Sequence, residues 1–445
     1  MDRVQVIGGG LAGTEAAWQL ADRGIPVRIF EMRPQVTTSA HRTDRLAEIV
    51  CTNSFKSTLP ETSSGLLKAE LDLLGCRLLG VAREARVPAG HALAVDRDEF
   101  SQIVTEVIEK HPLIEVERRC QDDLDVDLPA IIATGPLTAD TLSMALQSHC
   151  SSDHLYFYDA IAPSIDAETI DPDVGFRASR YDKGDADYLN IPLNEEQYRD
   201  LIGRLGSAEV VTPHAFEDAK YFESCLPVEV IVARGPDTLR FGPLKPRGLR
   251  NPKTGIEPYA VIQLRQESRN GSLLGMVGFQ TRMTYGAQKE VIHSIPGLEK
   301  ATILRYGSIH RNIFLNLPVL CERYQRDRAI PGLHFAGQIC GVEGYVECIM
   351  SGLIAALSVF SGIGHREMPL LPDDTMIGAL MNYIHTPTKN FQPMNSNMGL
   401  LPSRRQRGEG KKDRYTRMSR QAIDSMRGYR EAHPWLFDDR SRSAA

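Results

Sequence analysis

Gly8-Gly9-Gly10-Leu11-Ala12-Gly13 and Glu31 are the residues whose types and spacing best fit a chemical task. Gly8 permits a tight turn, and Gly10 lets backbone approach a pyrophosphate with no Cβ in the way. Gly13, backed by Ala16 and Ala17, lets a helix lie close on a sheet. A helix beginning here turns free N–H groups and the positive end of its dipole toward phosphate. Gly9, Leu11 and Ala12 complete that cradle. Glu31 stands about 20 residues further on, where a carboxylate accepts ribose hydroxyls and repels a 2′-phosphate. The pattern therefore points to bound FAD or NAD rather than NADP.

Two later stretches join this set. Pro129 to Pro136 reads as a buried strand ending in Ala-Thr-Gly, which places Gly135 beside the nucleotide. Leu333 to Gly337 reads as a parallel strand, followed by Gly341 and Val342 in a turn and a helix over 346–360. Such a unit brings a helix N-terminus against a flavin, where its dipole stabilises the anionic reduced ring. Gln338 stands where many flavin-binding sheets carry Asp, and an amide still reaches a ribityl hydroxyl. His334, Glu343 and Tyr345 lie near this face and read as satisfied core or loop residues.

The elements that must position these residues follow from local pattern. Arg3–Ile7 and Pro26–Phe30 are short β-branched strands either side of a helix stopped by Gly24. Helices are expected over 64–74, ended by Gly75, and over 95–110, entered through Asp96. A strand is expected over 113–116. From Phe176 the pattern alternates and becomes aromatic, as in antiparallel strands, with a helix-like run from Pro213 to Cys225. The expected fold is α/β: a Rossmann-like FAD-binding domain of the glutathione-reductase type with an inserted α+β domain. Its segments are 1–175, the insertion 176–304, and a return segment with tail over 305–445.

Composition limits the alternatives. The 445 residues carry 42% hydrophobic and 24% charged side chains, as in an ordinary soluble protein of two or three domains. No apolar run is expected to reach the length needed to span a bilayer, and a chain that starts at its first strand leaves no room for a leader, so a cytoplasmic protein is expected. The eight cysteines (51, 76, 120, 150, 225, 321, 340 and 348) show no C-x-x-C pair and no zinc spacing, so no metal is expected. Each defaults to a small buried hydrophobe. The net charge of −6 gives no overall argument for nucleic acid, although Arg240–Arg250 carries four cations and no acid, and Arg404–Arg420 is richer still.

Several segments together identify a resemblance: Glu48-Ile49-Val50-Cys51-Thr52-Asn53-Ser54, Phe222-Glu223-Ser224-Cys225-Leu226-Pro227-Val228-Glu229, Gly341-Val342-Glu343-Gly344-Tyr345 and Phe391-Gln392-Pro393-Met394. End to end, the chain resembles the TrmFO family of folate- and FAD-dependent tRNA (uracil-5)-methyltransferases. The paralogous MnmG (GidA) enzymes share the flavin-binding units and are longer. The resemblance implies methylation of C5 of the T-loop uridine in tRNA, with the methylene taken from 5,10-methylenetetrahydrofolate, carried on the flavin and reduced with NAD(P)H electrons. It also implies that Cys225 attacks C6 of the uracil, while Cys51, near the flavin, helps with the C5 proton or guards the carried methylene. The basic runs become candidate contacts to the T-arm. Rival readings are modification of another RNA, as in ribosomal RNA methylation or MnmG-like wobble chemistry, and a non-catalytic RNA-binding flavoprotein.

Overall fold

The computed structural model describes residues 3–38, 40–150, 155–182, 185–211, 226–389, 391–402, 406 and 408–437. Five parallel strands form the first sheet, in the order Leu333–Phe335, Ala130–Ile132, Val4–Ile7, Val27–Phe30, Ile114–Glu117. Val4–Ile7 is buried at every position, as expected for a strand with helices on both faces. Each neighbour aligns on it in register, Val4 opposite Val27 and Gln5 opposite Ala130. The first helix, Leu11–Asp22, ends at Arg23, and Gly24 follows at φ +79°, so the glycine stop acts as the sequence indicates. Helix Arg97–Lys110 starts at Asp96, whose carboxylate accepts the N–H groups of Asp98 and Glu99.

Helix Tyr345–Ile363 lies against the first helix at close range. Gly352 sits so near the Ala12 carbonyl that a Cβ could not be placed there. This helix corrects the expectation of no bilayer-length apolar run: it is 19 residues long, with mean hydropathy 1.9. Its apolar window is 72% buried within the fold, because it packs in the core between the sheet and other helices. Its apolarity therefore serves the protein interior. Pro129–Pro136 also proves shorter as a strand than the sequence suggests. Only Ala130–Ile132 pairs, since Gly135 turns to φ +68° and opens a 3₁₀ turn over Gly135–Leu137.

The second sheet has six strands in the order Phe176–Arg177, Tyr188–Leu193, Ala260–Gln266, Leu273–Met276, Ser164–Asp166, Ile303–Arg305. All of its pairings are antiparallel. Ser164–Asp166 belongs to it, so this sheet begins before residue 176, where the sequence places the boundary. Helices Glu195–Ser207 and Tyr285–His293 cover it, and a separate core forms there from Ile191, Tyr198, Leu201, Ile262 and Phe279. A two-stranded ribbon, Leu155–Ile161 against Ser308–Phe314, carries the chain out of the first layer and back. The expected helix over 213–225 lies outside the described residues.

Candidate active site

The glycine turn has the geometry its residue types demand. Gly8 adopts φ +107°, and a Cβ on it would lie 2.6 Å from the Ala133 carbonyl oxygen. A Cβ on Gly13 would run into the Gly8 carbonyl oxygen, so helix and strand touch here through backbone alone. Gly10 is the exception. Nothing lies within 4 Å of where its Cβ would be. It caps the first helix without a side-chain hydrogen bond, so the first-turn N–H groups around Leu11, Ala12 and Gly13 face an open cradle. That open space fits a pyrophosphate.

Gly8, Gly9, Gly10, Glu31, Thr134 and Thr138 line the cleft that continues from this cradle. Gly135 follows Thr134 at its rim. Glu31 Oε2 accepts the Gly9 N–H at 2.9 Å, and Oε1 accepts Arg33 Nε at 2.8 Å and the Arg33 N–H at 3.0 Å. Burial opposes ionisation of this carboxyl, but Arg33 and Gly9 outweigh it and hold it below the ordinary carboxylate value. Arg33 reaches on to Glu48 Oε2 at 3.0 Å, which also accepts the Thr43 N–H and hydroxyl. Sequence reasoning missed Arg33 and Glu48. The signal was an arginine two residues beyond the ribose acid. Cys120 departs from the buried default and lines the cleft beside Arg119.

The return turn is built from left-handed glycines. Gly337 (φ +86°) donates its N–H to Ser351 Oγ at 2.7 Å, and a Cβ on it would meet the Ala12 methyl at 3.2 Å. Gly341 (φ +80°) lies under the Phe391 ring. Val342 is buried and bridges Met394, with Met394 N–H donating to Gly341 and Glu343 N–H to Met394. Gly341–Tyr345 and Phe391–Met394, far apart in sequence, thus form one wall. Gln338 donates its amide to Glu343 Oε2 at 2.5 Å. His334 is a satisfied core residue, as read: it contacts the Ser358 hydroxyl at 3.1 Å, and burial pushes its pKa down to about 4.

Tyr345 does more than the sequence reading allows it. Its Oη accepts the Cys51 N–H at 3.0 Å. Burial, and next the Cys51 thiol, push the phenol well above its usual pKa, so it stays a neutral hydroxyl. Three arginines hold the same segment. Arg97 donates to the Cys51 carbonyl at 2.7 Å and pairs with Glu267 at 2.9 Å. Arg265 donates to Asn53 Oδ1 at 2.9 Å and to the Thr52 hydroxyl at 2.5 Å. Arg305 donates to the Val50 carbonyl. Burial and the neighbouring Arg97 and Arg42 lower Arg305 to about 10, so it remains a cation at neutral pH. Arg265, Glu267 and Arg305 come from the second sheet, so Cys51 sits on the seam between the two layers.

The Cys51 thiol is 3.9 Å from the Ala160 carbonyl. The next residue, Ile161, accepts the Thr281 N–H, and the Thr281 hydroxyl donates to Glu229. Val228 N–H is fastened to Gln280 at 2.7 Å. The backbone over 228–229 is therefore tied, through 280–281, to the ribbon that Cys51 touches. Cys225 itself lies outside the described residues. Of the remaining cysteines, Cys321 and Cys340 are buried, while Cys76, Cys120, Cys150 and Cys348 are half-buried. Among the described residues no group of His, Cys, Asp and Glu suits a metal ion.

Sheet order, the glycine turn with its acid, and the return strand and helix define a Rossmann-like, FAD-binding class of fold with an antiparallel layer inserted. A crystal structure of Aquifex aeolicus GidA superposes over 96% of this chain and 73% of its own, with TM-score 0.69 and 17% identity, which shows a shared fold. The family model described as "Glucose inhibited division protein A" matches residues 3–367. Methylenetetrahydrofolate--tRNA-(uracil-5-)-methyltransferase TrmFO of Shouchella clausii is 48% identical over 427 residues, 96% of this chain and 98% of its own. The Staphylococcus aureus enzyme of that name is 48% identical over 433 residues, 96% and 99% of the two chains. The chain belongs to the TrmFO family, within the wider GidA group.

Proposed function

We infer that this protein methylates C5 of the T-loop uridine in tRNA, in the cytoplasm, drawing the carbon from 5,10-methylenetetrahydrofolate and electrons from NAD(P)H through FAD. The observation that carries this reading is the placement of Cys51. Its main chain is held at the seam by Arg97 and Tyr345, the latter at the N-terminus of the return helix, while Arg305 holds the preceding Val50 carbonyl. A full-length match to relatives named for this activity supports it.

The residues present fit FAD. The open cradle at Gly10 and the uncapped helix would take the pyrophosphate, Glu31 the adenosine ribose, and Gly135, Gly337, Gly341 and Val342 would form the walls along the rest. Bound there, FAD supplies the reducing electrons and carries the one-carbon unit. Cys225 then acts as thiolate and adds to C6 of the uracil, which makes C5 a nucleophile. Once C5 has bonded to the carbon, Cys51 would take the C5 proton, the C5=C6 bond would re-form as the Cys225 thiolate leaves, and the carbon's bond to its carrier nitrogen would break as two electrons and a proton complete the methyl group. The link from Val228–Glu229 through Thr281 to the ribbon beside Cys51 supports this pairing of two thiols.

Nucleoside mass spectrometry of tRNA from a deletion strain tests the reading. Loss of 5-methyluridine from the T-loop, restored by the wild-type chain and not by Cys225→Ala, is expected. Retention of that nucleoside sinks the reading, and loss of a ribosomal or wobble modification instead would replace it with a related activity.

A further inference from the structure

The segment Arg240–Arg250 is a rigid ledge. Leu244 and Leu249 are fully buried beneath it, and Leu249 packs with Phe176 and Val261 in a small core of its own. Arg240 is spent on structure: it stacks 4.0 Å over the Tyr259 ring and donates to the Tyr259 carbonyl. Lys245, Arg247 and Arg250 are exposed, and none makes an ion pair among the described residues.

Two aromatic rings stand out on the same ledge. Phe241 is 74% exposed, with the Arg240 guanidinium 5.7 Å from its ring centroid. Tyr181 is 57% exposed and held in the left-handed region at φ 59°. Its N–H donates to the Gly248 carbonyl at 2.7 Å, and its ring lies so close to Gly248 that a Cβ there would sit at 2.8 Å. A bulky residue at positive φ is strained, so the ring is displayed at an expense to folding. Exposed rings among unpaired cations match the chemistry of unstacked bases joined by phosphates.

One strand runs from beneath this ledge to the segment that carries Cys51. On Ala260–Gln266, Arg265 holds Thr52 and Asn53, while Val261 N–H donates to Leu244 at 3.0 Å. Those positions are four residues apart, or about 13 Å at the rise of a strand. That span suits a loop whose target base is turned into the site while neighbouring nucleotides rest outside.

We propose that Phe241 and Tyr181, with Lys245, Arg247 and Arg250, form the docking ledge for the T-arm of tRNA: the rings stack on loop bases that flank the target, and the cations bind the adjoining phosphates. This rests on the methyltransferase reading and adds the face on which its substrate lies.

The test is binding of a T-arm RNA hairpin to FAD-loaded protein across a KCl series, without folate or pyridine nucleotide. Phe241→Ala should weaken binding roughly five- to a hundredfold with the salt slope unchanged, and Phe241→Trp should retain affinity. A Lys245→Gln/Arg247→Gln/Arg250→Gln variant should lower the salt slope by about 2 to 3. Unchanged affinity and slope in these variants, with a wild type that binds the hairpin, overturns the ledge. So does equal binding of the wild type to phosphatidylglycerol vesicles that the hairpin displaces without regard to sequence or loop. A wild type that binds but leaves T-loop uridine unmethylated in the complete assay counts against the methyltransferase reading alone.

Discussion

The main-chain N–H of Cys51 donates to the phenolic oxygen of Tyr345 at 3.0 Å, across 294 residues of sequence. One residue begins the segment between the layers, and the other begins the return helix. Their bond fixes the height of the thiol relative to that helix. Removing it should act on the reaction more than on the fold. Tyr345→Phe keeps the ring against Phe55, 5.6 Å between centroids, and loses one hydrogen bond of about 1 kcal/mol. Methyl transfer in single turnover should slow by about fivefold, with FAD content unchanged. An unaltered rate would show that the bond does not position the thiol.

Two glycine substitutions separate folding from cofactor binding. Gly13→Ala places a methyl against the Gly8 carbonyl and should destabilise the whole first layer. In Gly10→Val the Cβ has nothing of the polypeptide within 4 Å, and the residue's φ of −77° suits any side chain. This variant should fold with normal circular dichroism yet purify without yellow colour. A yellow Gly10→Val protein would mean that the phosphates lie elsewhere.

Arg97 and Glu267 form an ion pair nearly out of water, with side chains 12% and 4% exposed. Breaking one partner of such a pair costs about 3–5 kcal/mol, because the survivor is left buried with its charge. Arg97→Ala should therefore lower the urea midpoint well below that of wild type. Arg97→Ala/Glu267→Ala should recover part of the loss. Additive losses in the double variant would show that the two groups do not stabilise each other.

Acid sensitivity follows from His334, which burial holds at about 4, and from His385, held at about 4 by burial and by the cations Arg328 and Arg323. The unfolded chain protonates its histidines near 6.5, so between 6.5 and about 4 it binds protons that the folded chain refuses. Stability contributed by the neutral rings is complete above 6.5 and falls as the pH drops toward 4. His334→Gln should reduce the change in unfolding free energy across that window by about 3 kcal/mol relative to wild type. Parallel stability profiles for the two proteins would refute the assignment.

The elements around the nucleotide were legible because their causes are local. Gly13, Gly24 and Asp96 each act within a few residues of themselves, and the structure puts them where turn and cap chemistry require. The clasp on Cys51 was not legible. Arg97, Arg265 and Arg305 reach Cys51, Thr52 and Val50 from 46, 213 and 255 positions away, and no periodicity records such a meeting. Ser164–Asp166 escaped for another reason: three residues are too few to show alternation, and only pairing with Leu273–Gly275 makes them a strand. Helix Tyr345–Ile363 escaped in another way: read from the sequence only over 346–360, it proves long and apolar enough to match a membrane span because most of it is buried in the core.

Arg97 and Arg305 both fasten to carbonyl oxygens of the peptide chain, at Cys51 and Val50, so this hold does not depend on which side chain stands at position 51. A chemist can therefore exchange the Cys51 sulfur for a hydroxyl or a hydrogen without undoing the fastening. Serine and alanine at position 51 become clean probes, in which any lost turnover reports on the atom removed rather than on a displaced backbone.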